Sequence, residues 1–171
     1  MKVLVVGGGG REHALAWKLS RERGVQVACA PANYGIASVA AVVPIKVDDV
    51  EALANGVEKA GIDLTVVGPE LPLDLGITDI FASRGLRIFG PSRAAARLEC
   101  SKAFAKDFMA RHGIPTARYR TCASADEARA VVTSGEFGLP LVVKADGLAA
   151  GKGVVVAQTA DEANAAIKLM M

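Results

Sequence analysis

Net charge is almost lacking: 20 Lys and Arg stand against 18 Asp and Glu, a balance of +2. A general nucleic-acid binder carries a clearly basic domain. No nucleic-acid partner is therefore expected, and any bound anion must be held by a local site. Cysteine is also scarce. Cys29, Cys100 and Cys122 are odd in number and without CxxC spacing, which fits a reducing, cytoplasmic setting better than a disulfide framework or zinc site. The only histidines, His13 and His112, lack metal-ligand spacing. No stretch approaches the ~20 apolar residues of a membrane helix, so no membrane partner is expected. The apolar opening, residues 3–6, is too short for a leader and runs into four glycines, so it reads as a strand. A content of 51% hydrophobic and 22% charged residues excludes disorder.

What is present is alternation of short Val/Ile/Leu runs with longer Ala-rich amphipathic stretches. Strands are expected at 3–6, 25–30, 42–47, 64–67 and 86–89, and helices at 11–23, 50–59 and 75–83. This order predicts an α/β fold, an open parallel sheet with helices on both faces. After residue 90 the pattern changes. Helices are expected at 92–99, 101–111, 126–133 and from 161 onward, an extended segment at 117–121, and strands at 141–144 and 154–157. A boundary falls near residues 100–115, giving units of 1–100 and 101–171.

Three segments can carry chemistry. Gly7-Gly8-Gly9-Gly10-Arg11-Glu12-His13 lies between a strand and a helix. Glycines let the backbone approach an anion, the helix start offers unpaired N–H groups, and Arg11 adds a charge-assisted phosphate contact. A tight turn with no ligand would look the same. A dinucleotide site needs an acidic residue ending the second strand, but that strand ends Ala28-Cys29-Ala30-Pro31, so NAD is disfavoured. Gly68-Pro69-Glu70-Leu71-Pro72-Leu73 reads as a stiff turn that aims the Glu70 carboxylate over the sheet edge. A merely solvated glutamate is the alternative. Finally, Lys144-Ala145-Asp146-Gly147-Leu148-Ala149-Ala150-Gly151-Lys152-Gly153 runs from strand to strand. It is no Walker A loop, since Gly153 follows the lysine where Ser or Thr is required. It reads instead as a flap whose amides and Lys152 neutralise phosphates, with Lys144 a second cation or an ordinary edge lysine.

In order along the chain stand Gly8-x-Gly10-Arg11-Glu12-His13-Ala14, Val67-Gly68-Pro69-Glu70, Ile88-Phe89-Gly90-Pro91, Ser101-Lys102-Ala103-Phe104 and the 144–153 segment. Together these resemble the phosphoribosylamine–glycine ligase family, also called glycinamide ribonucleotide synthetases, ATP-grasp enzymes of purine biosynthesis. The resemblance spans the whole chain and the N-terminal part of the family. It implies a pre-ATP-grasp domain at 1–100 and part of an ATP-grasp region at 101–171. It further implies that Gly7, Gly8, Gly9, Gly10, Arg11, Glu12 and Glu70 face phosphoribosylamine, while Lys102, Lys144, Gly147, Gly151, Lys152 and Gly153 serve ATP. The family activates glycine with ATP as an acyl phosphate. Two positions depart from the family pattern: Ala32 and Cys100 stand where glycine is usual.

The resemblance also implies that the Mg²⁺ ligands, the adenine-binding backbone and much of the glycine site lie beyond this segment. The chain alone is then expected to bind phosphorylated ligands without catalysis and to carry no metal site. The alternatives are one half of a split ligase needing a second chain, or a non-catalytic oligomerising or phosphate-binding module. A bare strand edge near residues 154–157 is expected to drive self-association.

Overall fold

Val3, Val5 and Val6 have no exposed surface and Leu4 almost none, as a strand covered on both faces requires. They form β1 (Lys2–Val6) in a computed structural model that describes residues 1–148 and 153–171. The chain divides into two units, Met1–Cys100 and Ser101–Met171.

In the first unit β1 is followed by α1 (Gly10–Ser20), β2 (Gln26–Ala30), α2 (Tyr34–Ala37), β3 (Ala41–Val42), α3 (Val50–Ala60) and β4 (Leu64–Val67). Then come α4 (Glu70–Asp74), α5 (Ile77–Ser83), β5 (Ile88–Phe89) and α6 (Arg93–Cys100). Every pairing is parallel, in the order β3-β2-β1-β4-β5. The chain starts at the centre, winds to one edge through β3, then crosses to wind the other way through β4 and β5. The order therefore reverses between β1 and β4, and an open sheet of this kind receives ligands beyond the carboxyl ends of its strands at that reversal.

Alternation along β1 divides the core. Leu4 and Val6 pack with Leu53, Ala54 and Val57 of α3, Ile77 and Phe81 of α5, and Ala96 and Cys100 of α6. Val5 packs on the other face with Ala16 of α1, Cys29 of β2 and Ile36 of α2. Helix ends follow local chemistry. The Asp49 side chain accepts from the Ala52 N–H at 3.0 Å to start α3, and Gly61, at φ 62°, closes it in the left-handed region.

The second unit holds α7 (Lys102–Arg111), α8 (Ala125–Ser134), β6 (Leu141–Lys144), β7 (Val154–Ala157) and α9 (Ala160–Met170). β6 and β7 are antiparallel, with Leu141 opposite Ala157 and Lys144 opposite Val154. α9 packs on both strands and buries Ala163, Ala166 and Ile167, whereas Val142, Val154 and Val156 remain exposed.

Some local expectations are corrected. The strand expected at 42–47 is the two-residue β3, because Pro44 has no N–H for a ladder. The stiff turn expected at Glu70 is the helix α4; Pro72 is its third residue, where an N–H would have no intrahelical partner anyway. The helix expected from 75 starts at Ile77, since Gly76 sits at φ 85°. Residues 117–121 join no ladder.

Removing the wholly buried Phe81 ring tests this core. Phe81→Ala should cost ~3–5 kcal/mol of unfolding free energy, measured by urea denaturation. Phe89→Ala, whose ring is exposed in β5, should cost only about 0.5 kcal/mol.

Candidate functional site

The loops after β1 and β4 meet at the reversal of strand order. Gly7 leaves β1 at φ 116°, a left-handed-side geometry closed to side chains; a Cβ there would lie 2.7 Å from Pro69 Cδ and 2.8 Å from Glu12 Cγ. Its N–H donates to the Ala30 carbonyl at 2.8 Å. The Gly8 carbonyl accepts from Asn33 Nδ2 at 2.8 Å, which ties the loop after β2 to the glycine loop. Gly9 caps α1, and its N–H donates to Glu12 Oε2 at 2.6 Å. Gly10 faces open space.

Glu12 is folded beneath this loop, only 3% exposed. Its second oxygen, Oε1, is buried and has no hydrogen-bond partner; the nearest cation, Arg11 Nε, is 3.9 Å away. Arg11 itself reaches across the reversal. Its two terminal nitrogens donate to Glu70 Oε1 at 3.2 and 3.1 Å, with 67% of the Arg11 and 36% of the Glu70 side chain exposed. The expected residues of the first unit thus form one cluster of a helix N-terminus, one guanidinium and two carboxylates. Such a set can take a ligand carrying both an anion and hydrogen-bond donors.

Sequence reasoning missed two supports. Asn33 holds the loop and also caps α2 by accepting from the Ile36 N–H at 2.8 Å. Cys29 lies under the loop, and its thiol donates to the Gly7 carbonyl at 3.0 Å. Burial, then the Glu12 charge, push that thiol up to about 11 despite an opposing backbone hydrogen bond.

In the second unit the α7 start is joined to the turn after β6. Asp146 accepts from Ser101 Oγ at 3.1 Å and from the Ala103 N–H at 3.2 Å. Burial works against its charge, but these donors and the Gly147 and Lys102 amides hold its carboxyl below the ordinary value. Lys102 Nζ donates to the Gly147 carbonyl at 2.8 Å, so it braces the turn. Gly147 sits at φ 82°. Lys144 is exposed at the end of β6, and the Ala145 N–H donates to the Gly153 carbonyl at 2.8 Å, extending the hairpin. Gly151 and Lys152 lie outside the described residues. Among the described residues, no group of three His, Cys, Asp or Glu side chains is placed to hold a metal. No described helix is long and apolar enough to cross a membrane.

Residues 1–99 match the family Phosphoribosylglycinamide synthetase, N domain, and residues 100–171 match Phosphoribosylglycinamide synthetase, ATP-grasp (A) domain. The chain is 59% identical over 172 residues to a phosphoribosylamine–glycine ligase of Ralstonia nicotianae, covering 100% of this chain and 40% of that protein. It is 53% identical over 174 residues to the ligase of that name from Escherichia coli O6:H1, again over 100% of this chain and 40% of the other. Among solved structures, phosphoribosylamine–glycine ligase from Thermotoga maritima superposes with a TM-score of 0.77 at 32% identity, over 96% of this chain and 38% of that one. The chain spans about 40% of the length of the curated relatives it matches.

Two measurements test the buried parts of this cluster. A Cβ on Gly68 would run into the Glu12 carboxylate, which Gly7 and Gly9 also crowd. Gly68→Ala should therefore cost ~1–3 kcal/mol, and a second change, Glu12→Ala, should recover much of it in a double-mutant cycle. For Cys29 the folded thiol stays protonated after the unfolded one has ionised, so its stabilisation is complete below about pH 9 and is lost as pH rises through about 11. Wild type should lose up to ~1.4 kcal/mol per pH unit in that window relative to Cys29→Ala; parallel urea melts from pH 8 to 11 report the difference.

Proposed function

The chain belongs to the phosphoribosylglycinamide synthetase family, and on that premise we propose that its first unit binds phosphoribosylamine for ATP-dependent joining to glycine. The observation that carries this reading is the Arg11–Glu70 pair at the point where strand order reverses. Arg11 and the amides of Gly8 and Gly10 would take the phosphate, with the α1 N-terminus adding its partial positive charge. Glu70 accepts the ribose hydroxyls or the amine. An amine N–H held by a carboxylate has its lone pair turned away from that carboxylate, which fixes the direction of attack. Glu12 keeps the glycine loop in shape through Gly9.

In the second unit, Lys144, Lys102 and the Gly153 amide would offer the cations and donors that a nucleoside triphosphate requires; Gly147, whose own amide is held by Asp146, shapes the turn after β6, and Gly151 and Lys152 belong to the same stretch of sequence. ATP supplies the phosphoryl group that activates the glycine carboxylate. Lys102 and Asp146 hold the turn at the α7 start. Mg²⁺ belongs to this reading through the family alone, and no step is assigned to it. A cytoplasmic setting fits the free thiols of Cys29, Cys100 and Cys122. Self-association through β7 is part of the proposal, supported by the exposed Val154 and Val156.

Calorimetric titration with ribose 5-phosphate tests the site. Arg11→Ala should weaken binding by roughly ten- to a hundredfold, the worth of a charge-assisted contact. Because the side chain is exposed, stability should change by no more than about 0.5 kcal/mol. Equal affinities in the two proteins would end this reading.

A further inference from the structure

Arg11 stands between two carboxylates of different character. Its terminal nitrogens both rest on Oε1 of the part-exposed Glu70, at 3.2 and 3.1 Å, leaving Oε2 outside the pair. Its Nε lies 3.9 Å from Oε1 of the buried Glu12, an oxygen that has no hydrogen-bond partner. One guanidinium among two carboxylates sums to a single negative charge, on the part of the sheet edge proposed to receive an anion.

We propose that the Arg11–Glu70 pair is an internal substitute for the ligand, and that the site selects molecules able to replace both halves of it together. The inference rests on the reading of this edge as a sugar-phosphate site and names how that site discriminates. An anion arriving alone must take Arg11 and leave Glu70 unpaired beside it. An amine or hydroxyl arriving alone takes Glu70 and leaves Arg11 unpaired. A ligand with a phosphate at one end and hydroxyl or amine donors at the other satisfies both residues. Such a ligand exchanges one pair for two.

Glu12 is the positioning residue for that exchange. When NH1 and NH2 turn from Glu70 to a phosphate, Nε, now 3.9 Å from Oε1, needs to move only about 1 Å to hydrogen-bond it. The contact would satisfy the orphaned oxygen and keep the guanidinium over the start of α1. The exchange is also energetically accessible. An exposed ion pair of this kind changes an equilibrium by at most about fivefold, so it weights the choice of ligand without closing the site.

The test uses inorganic phosphate and ribose 5-phosphate, titrated into the full chain as wild type, Glu70→Gln, Arg11→Ala and the double variant. Glu70→Gln should tighten inorganic phosphate by about three- to fivefold, the worth of the lost pair, and weaken ribose 5-phosphate by roughly tenfold, since its hydroxyls lose a charged acceptor. The double variant should lose the gain for phosphate. Urea midpoints confirm that these exposed changes leave the fold intact. Phosphate affinity that is unchanged, weaker or undetectable in Glu70→Gln overturns the proposal. If wild type and Glu70→Gln both ignore ribose 5-phosphate while Glu70→Gln still tightens phosphate, the exchange stands and the sugar-phosphate reading falls.

Discussion

A carboxylate with almost no exposed surface lies under the glycine loop, and the geometry of the sheet edge is arranged around it. Glu12 receives the Gly9 N–H and fills the space that side chains on Gly7, Gly9 or Gly68 would need. It also contributes to the protonated state of Cys29, whose thiol in turn satisfies the Gly7 carbonyl. Burying a carboxylate with one oxygen unpartnered costs free energy. The residue is enclosed by the loops after β1 and β4 at once. Were Glu12 smaller, Arg11 would lose the fixed neighbour beside its Nε, and the glycines would lose the reason for their tightness.

The second unit uses the same device with different parts. Asp146 occupies the start of α7, where the helix leaves N–H groups without partners, and accepts from Ser101 and Ala103. A carboxylate so placed fills a position an outside anion would otherwise favour. Lys102, freed from that task, braces the Gly147 carbonyl. In both units an internal acid organises a glycine-containing turn, and the cation beside it belongs to the turn's architecture as well as to its chemistry.

How much of this was legible depends on how local each cause is. The apolar run of β1 followed by glycines, and the two valine-rich strands on either side of residues 145–153, are short-range patterns, and all three strands stand where those patterns put them. Helix starts at Ser101 and Ser124 follow from a hydroxyl that accepts from the N–H three residues on. The expectation of a strand over 42–47 runs past β3 because Pro44 stands within a run of β-branched residues. The Arg11–Glu70 pair joins residues 59 apart in sequence; it exists only because β4 lies beside β1, a fact of topology that no local window contains. Nor does a glutamate between arginine and histidine announce burial. The space for Glu12 is made by glycines on two separate loops, and only the folded chain brings them together.

Of the four glycines in the first loop, Gly10 alone would meet nothing if given a side chain. It is the first residue of α1 and stands at the sheet edge proposed to receive the ligand. Gly7 and Gly9 are held by close neighbours, and Gly8 by the Pro31 carbonyl 3.2 Å from its would-be Cβ. Divergence of this loop is thereby channelled to a single position. A polar, acidic or bulky residue there would meet the incoming molecule before it met the protein, so the preference of the edge can drift while the fold beneath stays fixed.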